Sequence, residues 1–270
     1  MLRHNITSAV VSAFALFLTA CAPGIQRDGA PAAPVDVSSI PDAVPRDEPR
    51  SRYGNPEYYE VLGKRYYVLN SSKGFVERGV ASWYGTKFHG KRTSSGESYD
   101  MNAMTAAHKT LPLPTYVEVV NLENRKSIVV RVNDRGPFHE NRIIDLSYAA
   151  ATKLGIIARG TGLVELHAID PDHYTASKRD APVRSDDNIA VAAPRFYIQV
   201  GAFGELMNAE NLRAKLAVLG SQLVNISQAV VSGKTLYRVR IGPLDSIDNA
   251  DQIVTRLGDI GIAEHQIVLD

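Results

Sequence analysis

Residues 116–147 read YVEVVNLENRKSIVVRVNDRGPFHENRIIDLS. Two short apolar runs, YVEVV at 116–120 and IVVRV at 128–132, flank a polar stretch from Asn121 to Arg125, the pattern of a β-hairpin. The second run leads into Asp134, Arg135, Gly136 and Pro137, and a second acid, Asp145, follows in IIDLS. A buried strand that closes in a Gly-Pro turn needs no acid at either end, so the two aspartates have either a partner or a job. Outward from this hairpin, further strand-like runs lie at 78–83 and 161–169, and only 147–154 and 103–108 read as short helices. Many short strands must close on themselves or expose their edges, so residues 52–170 are expected to form a compact, mostly β barrel.

A second unit spans 195–270 and carries an internal repeat. FYIQVGAF followed by NAENLRAKLAVLG matches LYRVRIGPL followed by SIDNADQIVTRLGDIG: strand, glycine turn, amphipathic helix. With strands at 223–231 and 265–269 the order is βαββαβ, a ferredoxin-like split-βαβ sandwich with helices on one face of an antiparallel sheet. Alternation turns Phe196, Ile198, Val200, Tyr237, Val239 and Ile241 toward the helices. Tyr197, Gln199, Leu236, Arg238 and Arg240 then share the open face, which either stacks on and hydrogen-bonds to a sugar chain or is an ordinary solvated surface.

The termini and the composition bound the function. After Arg3 and His4 comes an apolar run at 9–18, too short for a bilayer-spanning helix, which takes roughly 20 residues, but of signal-peptide length. It closes on Leu18, Thr19, Ala20 and Cys21, the only cysteine of the chain. Residues 1–20 are read as a signal peptide and 21–51, rich in Pro and Ala, as a flexible tether. The polar, proline-flanked stretch 171–194 is read as a linker between the two units. A net charge of +1 gives no sign of a nucleic-acid partner. No glycine-rich phosphate loop, paired-cysteine site or His-Glu-x-x-His is present, so no cofactor or metal is expected.

Three resemblances fit this order of parts. The 18–21 stretch resembles the lipobox of bacterial lipoproteins, which implies acylation of Cys21 as a lipid anchor outside the cytoplasm. Ala22 in place of aspartate favours the outer membrane by analogy with lipoprotein sorting. Residues 79–147, from GVASWYGTKFHGKRTSSGESYD through NDRGPFHENRIIDLS, resemble the double-psi β-barrel of the rare lipoprotein A (RlpA) family. The final unit is similar to SPOR domains through FYIQVGAF and YRVRIGPL. The resemblance implies a septal lytic transglycosylase that cuts the MurNAc-GlcNAc β-1,4 bonds of peptide-stripped glycan strands and forms anhydroMurNAc. Its SPOR domain would bind the same denuded glycan and gather the protein at the division site, with cell-division proteins as further partners.

Such a cleavage closes the muramyl C6 hydroxyl onto its own C1, so one carboxyl group can serve first as acid and then as base. The family motif places the catalytic aspartate at Asp134, which ends a strand at the barrel rim, where an apolar wall can keep it protonated. On residues alone, an aspartate paired with Arg135 or accepting turn hydrogen bonds is the competing reading. Glu97 and Asp100 match acidic positions of the family; Glu97 is assigned to stabilising charge at the anomeric carbon or orienting substrate, Asp100 to support. His108 matches a position tied to activity and would hold a carboxylate or a sugar hydroxyl, against the bland reading of a satisfied core histidine. Asp145 is expected to cap the following helix or bridge to Arg135 or Arg142. Trp83, Tyr84 and Phe88 are stacking candidates, of which at least one is core. Gln199 and Arg238 match glycan-facing SPOR positions, beside Tyr197 and Arg240, while Ala202 and Leu236 depart from the hydroxyl or large aromatic that other members carry. Two other functions stay open: a non-catalytic peptidoglycan-binding septal lipoprotein, and a hydrolase on the same barrel. The stretch 58–67, rich in tyrosine, has no assignment.

Overall fold

The computed structural model describes residues 28–33, 35–139, 141–174, 195–220, 223–244 and 246–269. The signal segment, Cys21 and most of the expected linker lie outside them. A small hairpin comes first, β1 (Tyr58–Val61) against β2 (Lys64–Tyr67), formed by the unassigned tyrosine-rich stretch. Six strands then close a barrel: β3 (Val76–Tyr84), β4 (Thr105–His108), β5 (Thr115–Asn121), β6 (Ser127–Asp134), β7 (Arg142–Ser147) and β8 (Gly162–Ala168). Their order is β3-β7-β4-β6-β5-β8, with β3/β7 and β4/β6 parallel and the remaining pairs antiparallel. The hairpin expected at 116–132 is β5 paired with β6. Val117, Val119, Ile128, Val130, Val132, Ile144 and Leu146 fill the interior.

Two local expectations change. Residues 103–108 were expected as a helix, but 105–108 are β4, inserted between β6 and β7 and hydrogen-bonded on both sides. Alanine favours a helix only weakly, and pairing on two edges outweighs that preference. IIDLS, expected only as the approach to a helix, is most of β7. The helix itself, α1 (Tyr148–Leu154), starts where the Ser147 hydroxyl accepts the Ala150 amide and stops at Gly155 in the left-handed region (φ 81°).

The expected tether also differs over its described part. Val35, Val37, Ile40 and Ala43 pack on the barrel core, although these few residues could form no core of their own. Asp42 takes the Val129 amide at 2.9 Å and the Lys153 ammonium at 2.7 Å. Glu48 pairs with Arg131 at 2.8 Å and accepts from the Tyr116 hydroxyl. A pre-formed apolar surface and four partly or fully buried partners supply what the segment's composition lacks.

The second unit follows the expected order: β9 (Phe196–Phe203), α2 (Leu206–Lys215), β10 (Val224–Val231), β11 (Lys234–Leu244), α3 (Ile247–Asp259) and β12 (Gln266–Leu269). Its antiparallel sheet runs β10-β11-β9-β12. Phe196, Ile198, Val239 and Ile241 are buried with Ala250, Ile253 and Leu257 of α3, as the alternation requires.

Candidate active site

The acids of the opening stretch meet in one row across four strands. Asp134 on β6 pairs with Ala107 on β4, Ala107 pairs with Asp145 on β7, and Asp145 pairs with Ser82 on β3. Directly paired residues share a face of the sheet, so Ser82, Asp145, Ala107 and Asp134 point the same way. The adjacent row, Ala106 with Val132 and Leu146, is the barrel core, so the acids face outward. A β-bulge on β6 between Val132 and Asp134 brings Asp134 rather than Asn133 opposite Ala107. Strands lie about 4.8 Å apart, so roughly 10 Å separates the two aspartate backbones, with Ala107 on the strand between them.

The two carboxyl groups sit in different surroundings. Asp145 is desolvated, and burial pushes its carboxyl above the ordinary carboxylate range against the opposing hydrogen bond from the Ser82 hydroxyl and the charges of Arg142 and Lys109. Asp134 Oδ1 accepts from the Ser94 amide, the Ser94 hydroxyl and the Arg135 amide, each at 2.7 Å. The turn that follows needs Gly136 (φ 141°), and a side chain there would come within 3.9 Å of Asp145 Oδ2.

Arg135 locks this turn to the rest of the molecule. Its guanidinium donates to Gly54 O (2.6 and 2.9 Å), Leu111 O (2.5 Å) and His108 O (3.2 Å). Burial lowers its pKa to about 10, which leaves it charged at neutral pH. Asn55 completes the brace, taking the Leu113 amide and giving its own amide to Leu113 O, both at 2.8 Å. Tyr59 on β1 donates to Lys109 O at 2.7 Å and packs with Tyr66 against Phe138.

The other sequence candidates fall into three places. His108 is 2% exposed and belongs to the row facing away from the acids; its Nδ1 accepts the Thr110 and Leu111 amides, so Nε2 carries the proton toward Glu77 at 3.1 Å. Burial lowers its pKa, so the imidazole is neutral and serves the turn that holds Arg135. Glu97 stays near Asp134, held by Arg131 Nη1 at 2.8 and 2.9 Å and by Asn133 Nδ2 at 2.8 Å. Asp100 lies on an exposed turn and accepts from the Asn102 amide at 2.9 Å, outside the row of paired acids, although its charge and that of Asp145 both reach the Tyr99 hydroxyl. Of the aromatic candidates, Trp83 packs edge-on to Tyr148, and Phe88 is 39% exposed between Lys87 and Lys91. Tyr84 is buried under Phe88, and its hydroxyl and that of Thr105 lack well-formed hydrogen bonds. The charges of Asp134 and Asp145 both reach the Tyr84 hydroxyl.

Sequence reasoning did not single out Ser82 and Ser94, whose hydroxyls bond Asp145 and Asp134, and did not place Asp145 on the same face as Asp134. The available signal was the alternation in RIIDLS, where Ile144 and Leu146 are buried and Asp145 must face the other side. On the second unit's sheet, Arg240 reaches Gln199 Oε1 at 3.4 Å and lies 5.8 Å from the Tyr197 ring centroid, while Arg238 stands opposite Ala202.

Comparison with known proteins agrees with this division. Residues 76–166 match the family model described as a lytic transglycolase, and 192–268 match the SPOR domain. A Pseudomonas aeruginosa (strain UCBPP-PA14) protein named endolytic peptidoglycan transglycosylase RlpA is 43% identical over 274 residues, covering 84% of this chain and 80% of the relative. The chain belongs to the RlpA family. A relative with the same name from Vibrio cholerae serotype O1 is 43% identical over 251 residues, 91% of this chain and 90% of its own. The crystal structure of the RlpA SPOR domain from Pseudomonas aeruginosa is 34% identical and covers 27% of this chain and 96% of that one, with a TM-score of 0.26. The six-stranded barrel is thus the RlpA double-psi barrel, and the second unit is its SPOR domain.

Proposed function

We propose that this RlpA family member is an endolytic peptidoglycan transglycosylase in which Asp145 moves the proton and Asp134 steadies the charge. The observation that carries the reading is the outward row Ser82, Asp145, Ala107, Asp134, with two acids in contrasting surroundings. Asp145, whose carboxyl burial pushes toward the acid form, gives its proton to the bridging oxygen as the bond from muramyl C1 breaks. Asp134, fixed through Oδ1, presents Oδ2 to the positive charge developing at C1. The C6 hydroxyl then attacks C1 and its proton passes to the Asp145 carboxylate, which restores the acid and yields the 1,6-anhydro ring. This division of labour exchanges the roles expected from sequence. Glu97 and Arg131 stand beside Asn133, next to Asp134, and His108 acts on the turn.

The further parts of the reading rest on the family and the sequence. Peptide-stripped strands are the substrate, the SPOR face with Gln199, Arg238, Tyr197 and Arg240 holds the same glycan, and the protein gathers at the septum of the cell envelope. Cys21 carries the lipid anchor, with the outer membrane favoured. Mass spectrometry of products from peptide-free strands tests the reaction class: anhydromuramyl ends support it, reducing muramyl ends make the chain a hydrolase, and binding without release makes it a scaffold.

A further inference from the structure

Beside the row of acids, the backbone makes an anion-binding turn, and a carboxylate of the chain already occupies it. Directly after β3, the amide of Gly85 points at both oxygens of Asp28 (3.1 and 3.0 Å), and the amide of Lys87 points at Oδ1 (3.0 Å). Thr86 between them gives its amide (3.0 Å) and its hydroxyl (3.2 Å) to Gly29 O. Converging backbone amides of this kind form a nest for anions. A side chain at Gly85 would lie 2.1 Å from Gly29 O and 2.9 Å from the Trp83 ring, so only glycine lets another chain approach this closely. The bound carboxylate is electrostatically coupled to the reaction centre, because the Asp28 charge helps hold Asp145 in its acid form. Lys87 is exposed and no acidic side chain among the described residues forms an ion pair with it, which adds positive charge at the same turn.

We propose that the amides of Gly85 and Lys87 are the subsite for the free lactyl carboxylate of a muramyl residue, and that Asp28 holds this subsite until a glycan strand displaces it. The proposal rests on the transglycosylase reading and supplies a physical basis for a preference for stripped strands. A stem peptide converts the lactyl group into a neutral amide followed by bulky chain, whereas its removal leaves a carboxylate of the same charge as Asp28. The N-terminal segment then acts as an internal competitor, and its displacement accompanies productive binding.

The test pairs kinetics with a site-specific readout on the full chain. Asp28→Ala is expected to lower KM for peptide-free strands about three- to tenfold, as removal of a competitor raises the open fraction of the subsite. On strands whose lactyl carboxylates are converted to methylamides, the same substitution leaves KM where it was. In the Asp28→Ala chain, N-acetylmuramic acid is expected to shift the amide resonances of Gly85 and Lys87. Its methylamide and N-acetylmuramyl-L-alanyl-D-isoglutamine, whose carboxylate lies on the peptide, are expected to leave both in place. An unchanged or higher KM in Asp28→Ala overturns the proposal, as do Gly85 and Lys87 resonances that ignore N-acetylmuramic acid or follow the peptide carboxylate. Absence of anhydromuramyl products from the parent chain would sink the transglycosylase reading and still leave the resonance experiment able to judge the subsite.

Discussion

At the scale of single residues, burial sorts the titratable groups into roles that sequence could not separate. Asp145 has a raised folded-state pKa, so the folded chain binds more protons than the unfolded one above about 3.8, and its contribution to stability falls as pH rises through the folded value. Asp145→Asn, which is neutral at every pH, therefore melts above the parent at pH 8, and the gain shrinks toward pH 4; calorimetry at the two pH values checks this. The same titration gives parent cleavage an alkaline limb, since the first step needs the acid form. His108 behaves in the opposite sense: its lowered pKa means that stability is lost as pH falls below about 6.5. His108→Ala leaves the Thr110 and Leu111 amides and Glu77 without their partner, and is expected to cost about 2–4 kcal/mol in denaturant unfolding. The motif NDRGP singled out Asp134 in the sequence. The side of β4 on which His108 falls was not legible, because the stretch that carries it was read as helix.

Elements show why the rest of the site was hidden. The hairpin β5 to β6 and the βαββαβ order were legible because alternation and repeat are local properties of sequence. The β4 strand, the packing of the N-terminal segment and the Arg135 brace depend on partners far away in the chain, which no window reveals. Arg135 is satisfied by carbonyls of Gly54, His108 and Leu111, and Arg135→Lys cannot reproduce its planar fork. That substitution is expected to destabilise by about 2–4 kcal/mol and to lower kcat more than it raises KM, because the turn carrying Asp134 loosens. Glu48 gives a pH signature to the docked N-terminal segment. The Arg131 guanidinium holds its carboxyl down to about 2 from 4.5, so the contribution is full above about 4.5 and is lost as pH falls toward 2. Glu48→Gln is expected to flatten the stability profile across that window, as read by thermal melts.

For the whole molecule, two surfaces of different chemistry are joined in one chain: an outward row with two acids on the barrel, and the open sheet of the SPOR domain with Gln199 and Arg240. Removing residues 195–270 is expected to leave cleavage of short soluble strands and to weaken retention on intact sacculi, measured by co-sedimentation. The central claim is that the buried acid on β7 moves the proton. It is tested most directly by the rate of anhydromuramyl release from peptide-free strands by the parent, Asp145→Asn and Asp134→Asn, each confirmed folded by its melt. Loss of a general acid/base is expected to slow Asp145→Asn by about 10²- to 10⁴-fold. An Asp145→Asn chain that keeps cleaving within about threefold of the parent, far short of that loss, would contradict the account.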